Sequence, residues 1–468
     1  MGRLLAGLLL LALAAAAPAA RPAGYAADVT VTRDGPRWTA DYRLTGRSSV
    51  WMFTRSELIA SSQRPWRAQS WRVETPGVRM ERHGHHDVLV AANGGPVPAR
   101  VRIVFTPAPV DVVMGYDPAL VFTDGSVALY TEQFVAFPMA SAAAVARLPI
   151  DLNGINFREV ETRMSFRDSA GPVLIDGRRL ASASVRDDQG DGTYVLFGPA
   201  RPIVTEAMAA IFDPQLPAWI RAGLSRSVPD IFARYAAVLG PPPGVKPTVM
   251  VSWAGPTHGM TSMGGSTLPS LITMAYEGDR LLEENDRTRG FGLWFIAHEA
   301  AHFWLGNAVT YQFARDAWIT EGGADLLAFR TVAAVDPRYD WRGAIDESVA
   351  DCVRLATGHG VASAETRGEQ RAYYACGAVF ALVAEASSRR PFTHFVRALL
   401  DANRADHVVS RAEWLAALDR VSGNRSLSRD IAVLLDRGSP DPKAAIASLF
   451  TRAGVAFTQA PDGRLRMQ

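Results

Sequence analysis

Five residues constrain this chain more than anything else in it: His298-Glu299-Ala300-Ala301-His302, an H-E-x-x-H inside an apolar pattern of helical spacing that starts near Phe291. On a helix, positions i and i+4 share one face, so both imidazoles reach a single metal ion. Glu299, about a hundred degrees round the axis, points toward a water bound to that ion. Two histidines leave a site incomplete, and Glu321 offers the third ligand, with eighteen residues between it and His302. Glu321 lies in Trp318-Ile319-Thr320-Glu321-Gly322-Gly323-Ala324-Asp325, a second helix-compatible stretch. Gly306-Asn307 is placed to end the first helix and let the chain return. Two histidines and one glutamate leave an open position on a tetrahedral zinc, the arrangement of a catalytic site and not of a closed structural one. The competing reading is a helix whose histidines only cap or pack. Asp325, one turn after Glu321, reads either as the group that holds a ligating histidine in place or as a solvated helix charge.

The rest of the chain surrounds this core with two other textures. From Asp28 to about Pro202 the apolar residues alternate, as in Val29/Val31, Trp38/Ala40/Tyr42/Leu44 and Val101/Ile103/Phe105. Turn signals punctuate them at Asp34-Gly35, Asn93-Gly94, Asp124-Gly125, Asp176-Gly177 and Asp191-Gly192. That is the pattern of an antiparallel β domain. After Pro202, Trp219 to Leu239 predict a helix, Thr248 to Trp253 and Leu271 to Tyr276 predict strands, and everything from Gly290 onward reads as mostly helical. With 468 residues, 48% apolar and 21% charged, the chain is globular and large enough for two or three domains. Its 49 basic and 47 acidic residues leave a net charge of +2 with no basic cluster, which excludes a nucleic-acid footprint.

Met1-Gly2-Arg3, the apolar run from Leu4 to Ala17 and the A-x-A pattern Ala17-Pro18-Ala19 predict a secretory signal. The run is too short to span a bilayer, and no later stretch is long and apolar enough to do so. Cys352 and Cys376 are the only cysteines. In an oxidising compartment they are free to form a disulfide, and the alternative is two separate buried thiols. His83-Gly84-His85-His86 reads as a solvated turn rather than a metal site, and His258 as a loop histidine.

From His298 to Glu321 the sequence resembles the gluzincin zinc metallopeptidases of the alanyl aminopeptidase and leukotriene hydrolase family. Gly306-Asn307-Ala308-Val309-Thr310 is similar to that family's G-N-x-V-T, and Trp318-Ile319-Thr320-Glu321-Gly322 to its W-L-N-E-G. Tyr374-Ala375-Cys376-Gly377 is similar to the Y-x-K-G stretch whose tyrosine stabilises the transition state, with Tyr373 in reserve. The resemblance implies a fold that is multidomain β plus α/β. A signal peptide over 1–27 is followed by an N-terminal antiparallel β domain over 28–205. A thermolysin-like zinc metallopeptidase domain covers 206–335, and a helical C-terminal region over 336–468 completes it.

The implied cofactor is Zn²⁺, held by His298, His302 and Glu321, with Glu299 and Tyr374 catalytic and Gly264-Gly265 lining a strand edge that holds a peptide. One departure stands out. Thr267 in Gly264-Gly265-Ser266-Thr267-Leu268 occupies the place of the amine-binding Glu of the family's G-x-M-E-N. A substrate α-ammonium thereby loses a charge partner worth about 2 to 3 kcal/mol. The expected activity is peptide hydrolysis by an exported, periplasmic or secreted aminopeptidase-like enzyme acting on peptides or proteins. An endopeptidase and a zinc-bearing binding or assembly protein without turnover are the alternatives, and an epoxide or small-amide hydrolase is a weaker third.

Overall fold

The computed structural model describes residues 25–113, 115–150, 152, 161–187 and 192–468. Most of the expected leader lies outside them, and its last residues, 25–27, open the first strand. In the N-terminal region the alternating residues do what a half-buried strand requires. Along Arg37–Leu44, Trp38, Ala40, Tyr42 and Leu44 are all buried, and the residues between them are more exposed. Three sheets of six, four and five strands result. Their pairings are antiparallel apart from one: Tyr25–Asp34 runs parallel to Glu161–Asp168 in the middle of the six-stranded sheet. More than a hundred residues separate these two strands, and local alternation carries no information about such a pairing.

This region also buries a charge. The guanidinium of Arg67 is fully enclosed, paired with Asp87 at 3.0 Å and donating to the carbonyl of Gln133 at 2.6 Å. The rings of Phe53, Trp66 and Trp71 surround it at 4.4 to 4.7 Å. An ion so placed is tolerated because hydrogen bonds and ring faces replace its water shell.

The chain then builds a five-stranded sheet. Ile203–Val204 pairs with β1 (Ala209–Phe212) at one edge. Helix α1 (Ala218–Leu239) leads to β2 (Thr248–Trp253), then β3 (Ser262–Leu268) and β4 (Leu271–Glu277). β1, β2 and β4 are parallel, and β3 runs antiparallel to β4 along the other edge. Every residue of β2 is buried, as a parallel strand covered on both faces demands. Leu120, Tyr130, Tyr194 and Leu196 of the N-terminal region pack with Ile211, Met250, Leu268 and Leu271 into one apolar cluster, which joins the β region to this sheet.

Helix α2 (Asp286–Ala301) follows, five residues earlier than its apolar pattern starts, because Asn285 caps it by accepting from the Thr288 amide at 2.8 Å. Beyond it lie α3 (Trp318–Val335), α4 (Trp341–Leu355) and α5 (Arg371–Ser388). Four further helices between Phe392 and Ala453 complete the C-terminal region. Among the described residues no helix is long and apolar enough to cross a membrane.

The contact that aligns the helices is between two glycines. A β-carbon on Gly322 of α3 would lie 2.1 Å from the backbone of Gly377 in α5, and one on Gly377 would lie 2.3 Å from the carbonyl of Trp318. The two backbones touch where no side chain fits. Cys376, next to Gly377, forms a disulfide with Cys352 of α4, so α5 is held from two sides.

Gly322→Ala and Gly377→Ala should each lower the unfolding free energy in urea by about 2 kcal/mol or more, since backbone has to move to admit the methyl group. Gly223→Ala in α1, where nothing lies within 4 Å of the new carbon, should instead raise it by about 0.5 to 1 kcal/mol.

Candidate metal centre

Helix α2 presents His298 and His302 one turn apart, and the turn that follows, through Gly306, sends the chain back so that α3 packs beside α2 with Glu321 in its first turn. The ring nitrogens and carboxylate oxygen of His298, His302 and Glu321 lie within 4.8 Å of one another. His298 Nε2 and His302 Nε2 are 3.1 Å apart, and Glu321 Oε2 is 3.5 and 3.4 Å from them. A tetrahedron around zinc with bonds of about 2.05 Å has edges of about 3.35 Å, so the donor spacing fits that ion. Among the described residues this is the one trio of His, Cys, Asp or Glu placed to share an ion.

Both tautomers follow from the outer hydrogen bonds. His298 Nδ1 donates to Asp325 Oδ1 at 2.9 Å, and His302 Nδ1 donates to the Leu305 carbonyl at 2.8 Å. Each Nε2 then turns its lone pair to the shared centre. Asp325 is fully buried, accepts a second bond from the indole of Trp294 at 3.2 Å, and has the guanidinium of Arg371 3.7 Å from its other oxygen. It is an internal group that holds His298, and no solvated helix charge.

The charges answer one another. Burial alone would lower the pKa of His298, but Asp325, Glu321 and Glu299 outweigh it and raise the imidazole from 6.5 to about 10 in the metal-free protein. His302 is raised the same way, by Glu321 against burial. Burial works to raise Glu321, and the two imidazolium partners hold it well below the usual carboxylate range.

Tyr374, on α5, stacks on His298 with ring centroids 5.6 Å apart, and its hydroxyl is within hydrogen-bond reach of Glu321. Burial, then the Glu321 charge, push its pKa far up, so it stays a neutral donor. Tyr373 points elsewhere, toward the Glu365 amide, 3.4 Å from its hydroxyl.

Glu299 faces the edge strand. Gly264 and Gly265 are exposed on β3, and a β-carbon on Gly265 would strike the Thr273 carbonyl and the ring of Phe295 in α2. Two residues on, Thr267 Oγ1 donates to Glu299 Oε2. The position with no substrate-binding carboxylate thus contacts the carboxylate of the H-E-x-x-H, a contact that sequence reasoning missed. The other histidines stay outside the site. His258 pairs with Asp279 at 2.8 Å on the surface, His83 with Glu81 at 3.2 Å, and His86 with the Pro149 carbonyl at 2.9 Å.

Residues 261–431 match the Peptidase family M1 domain. The "Probable aminopeptidase 1" of Saccharolobus solfataricus is 36% identical over 56 residues, which are 12% of this chain and 7% of that protein. The chain therefore matches a small part of that relative's length. Among solved structures, an M1 zinc metallopeptidase from Deinococcus radiodurans has a TM-score of 0.44 at 16% identity, covering 89% of this chain and 94% of that one. Leukotriene A4 hydrolase from Saccharomyces cerevisiae gives 0.47 at 13% identity, covering 89% and 68%. The domain match bears out the resemblance read from the two helices.

Because His298 is protonated at neutral pH without metal and must be neutral to ligate, zinc binding should expel protons. Apparent affinity should climb with pH until about 10, the raised value of His298. Titration calorimetry in buffers of different ionisation enthalpy reads both. Asp325→Asn should weaken zinc binding by about 10- to 100-fold.

Proposed function

We propose that this chain is an exported zinc-dependent metallopeptidase that hydrolyses peptide bonds, aminopeptidase-like in build but without the usual amine-binding glutamate. The observation that carries the reading is the convergence of three metal donors with one open side, next to a carboxylate and a neutral phenol. The match of residues 261–431 to the Peptidase family M1 domain and the aminopeptidase name of a relative support it. His298, His302 and Glu321 hold the ion. Bound there, Zn²⁺ supplies Lewis acidity, which brings the pKa of a coordinated water to about 7.

Glu299, beside the three metal donors and facing the edge strand, takes a proton from the attacking water and delivers it to the leaving amine. The Tyr374 hydroxyl donates a hydrogen bond to the carbonyl oxygen of the scissile peptide as it gains negative charge. A general base and an oxyanion donor have no use in a binding protein, which argues against the rival without turnover. The free edge of β3, with Gly264 and Gly265 exposed, accepts a peptide by strand addition, which depends on backbone and not on side chains.

A second reading, internal cleavage, is favoured by Thr267: its hydroxyl is turned to Glu299 and offers no charge to a free α-ammonium. Export is supported by the leader-like start of the sequence and by the Cys352–Cys376 disulfide, a bond of oxidising compartments.

Zinc-loaded protein should cleave peptides, and removal of the ion by a chelator or the substitution Glu299→Gln should reduce turnover by about a hundredfold or more. With a library half of which is N-terminally blocked, loss of residues from unblocked ends alone supports aminopeptidase action. Cuts inside blocked peptides show the second reading, and no cleavage by a zinc-replete protein favours a binding role. N-terminal sequencing of exported material should find the chain cut within residues 1–27.

A further inference from the structure

We propose that Thr267 is a positioning residue for Glu299: its hydroxyl fixes which carboxylate oxygen is held and which is free to take a proton. The inference rests on Glu299 acting as the base. Its ground is a match between a strand and a helix. Gly265 and Thr267 lie two apart on β3 and share a face, while Phe295 and Glu299 lie four apart on α2 and share a face. Two strand residues advance about 6.6 Å and four helix residues about 6 Å, so the two pairs meet in step.

The first meeting is Gly265 on Phe295, where the missing β-carbon lets the strand backbone lie against the ring. The second is the Thr267 hydroxyl on Glu299 Oε2. The strand itself is held at this residue. The Thr267 carbonyl accepts from the Tyr116 hydroxyl of the N-terminal region at 3.1 Å, and Leu268, on the other face, is buried in the cluster that joins the two regions.

A glutamate has three rotatable bonds and, at the rim of an open cleft, several orientations of similar energy. A hydroxyl donor on one oxygen selects one of them. The other oxygen, Oε1, is then left free to take the proton without further ordering when substrate arrives. Threonine suits the task, since its β-branch limits χ1 and suits a strand.

The test uses the full chain with Thr267→Val, which keeps shape and strand preference, and Thr267→Ser, which keeps the hydroxyl. Crystal structures without metal should show Glu299 in one orientation in the wild type and Thr267→Ser, but displaced or spread over several in Thr267→Val. The three metal donors, zinc content and melting temperature should be unchanged throughout. In peptide hydrolysis, Thr267→Val should lower kcat by about ten- to a hundredfold with KM nearly constant, and Thr267→Ser should recover most of it. Glu299 unmoved in Thr267→Val, or Thr267→Ser as impaired as Thr267→Val, overturns the proposal. If the wild type cleaves no peptide, the proposed function fails, and the crystallographic comparison alone decides the role of Thr267.

Discussion

Two imidazole nitrogens facing each other at 3.1 Å are the interaction to which the larger part of this molecule is fitted. Their opposite ring nitrogens are committed, one to Asp325 and one to a backbone carbonyl, so two lone pairs are directed into one small volume. Electron pairs that close repel unless positive charge lies between or on them. In the metal-free protein Asp325, Glu321 and Glu299 raise His298 against burial, and Glu321 and Glu299 raise His302, so protons supply it, and a divalent ion supplies it otherwise. Glu321 completes the balance from the neighbouring helix.

Such an arrangement needs its helices placed closely, and the packing achieves this with little chemistry. α3 carries Glu321 and α5 carries Tyr374, and the Gly322–Gly377 crossing brings those helices into backbone contact one residue after the glutamate. On the other side of α2, Gly265 lets the strand lie against the ring of Phe295. Residues without side chains are thus what allow the ligand, the phenol and the edge strand to meet around one carboxylate. The N-terminal β region contributes at a distance, through the apolar junction and the Tyr116 hydrogen bond to the strand.

What could be read beforehand was local. H-E-x-x-H and the glutamate beyond eighteen intervening residues are a matter of local pattern, and the strands expected at Thr248 to Trp253 and Leu271 to Tyr276 are found as Thr248–Trp253 and Leu271–Glu277. Asp325 could be named as a partner of His298 because it lies one turn from Glu321, although a solvated charge would look identical in sequence. The Thr267–Glu299 contact spans thirty-two positions and depends on strand-to-helix packing, so in the sequence Thr267 registered only as a missing carboxylate. The parallel neighbour of Tyr25–Asp34 and the ring-lined Arg67 were hidden for the same reason, and the pairing of Cys352 with Cys376 stood as one of two options until the structure joined them. Each is a meeting of segments whose own patterns do not mention the other.

The disulfide gives the cleft unequal walls. Cys376 stands two positions after Tyr374, so the helix bearing that phenol is riveted to α4 on one flank and pressed on α3 at the other. The opposite wall is an edge strand, hydrogen-bonded along one side to β4 and free on the other. Of the two walls, the helical one alone carries a covalent tie, and the strand is held by hydrogen bonds and packing.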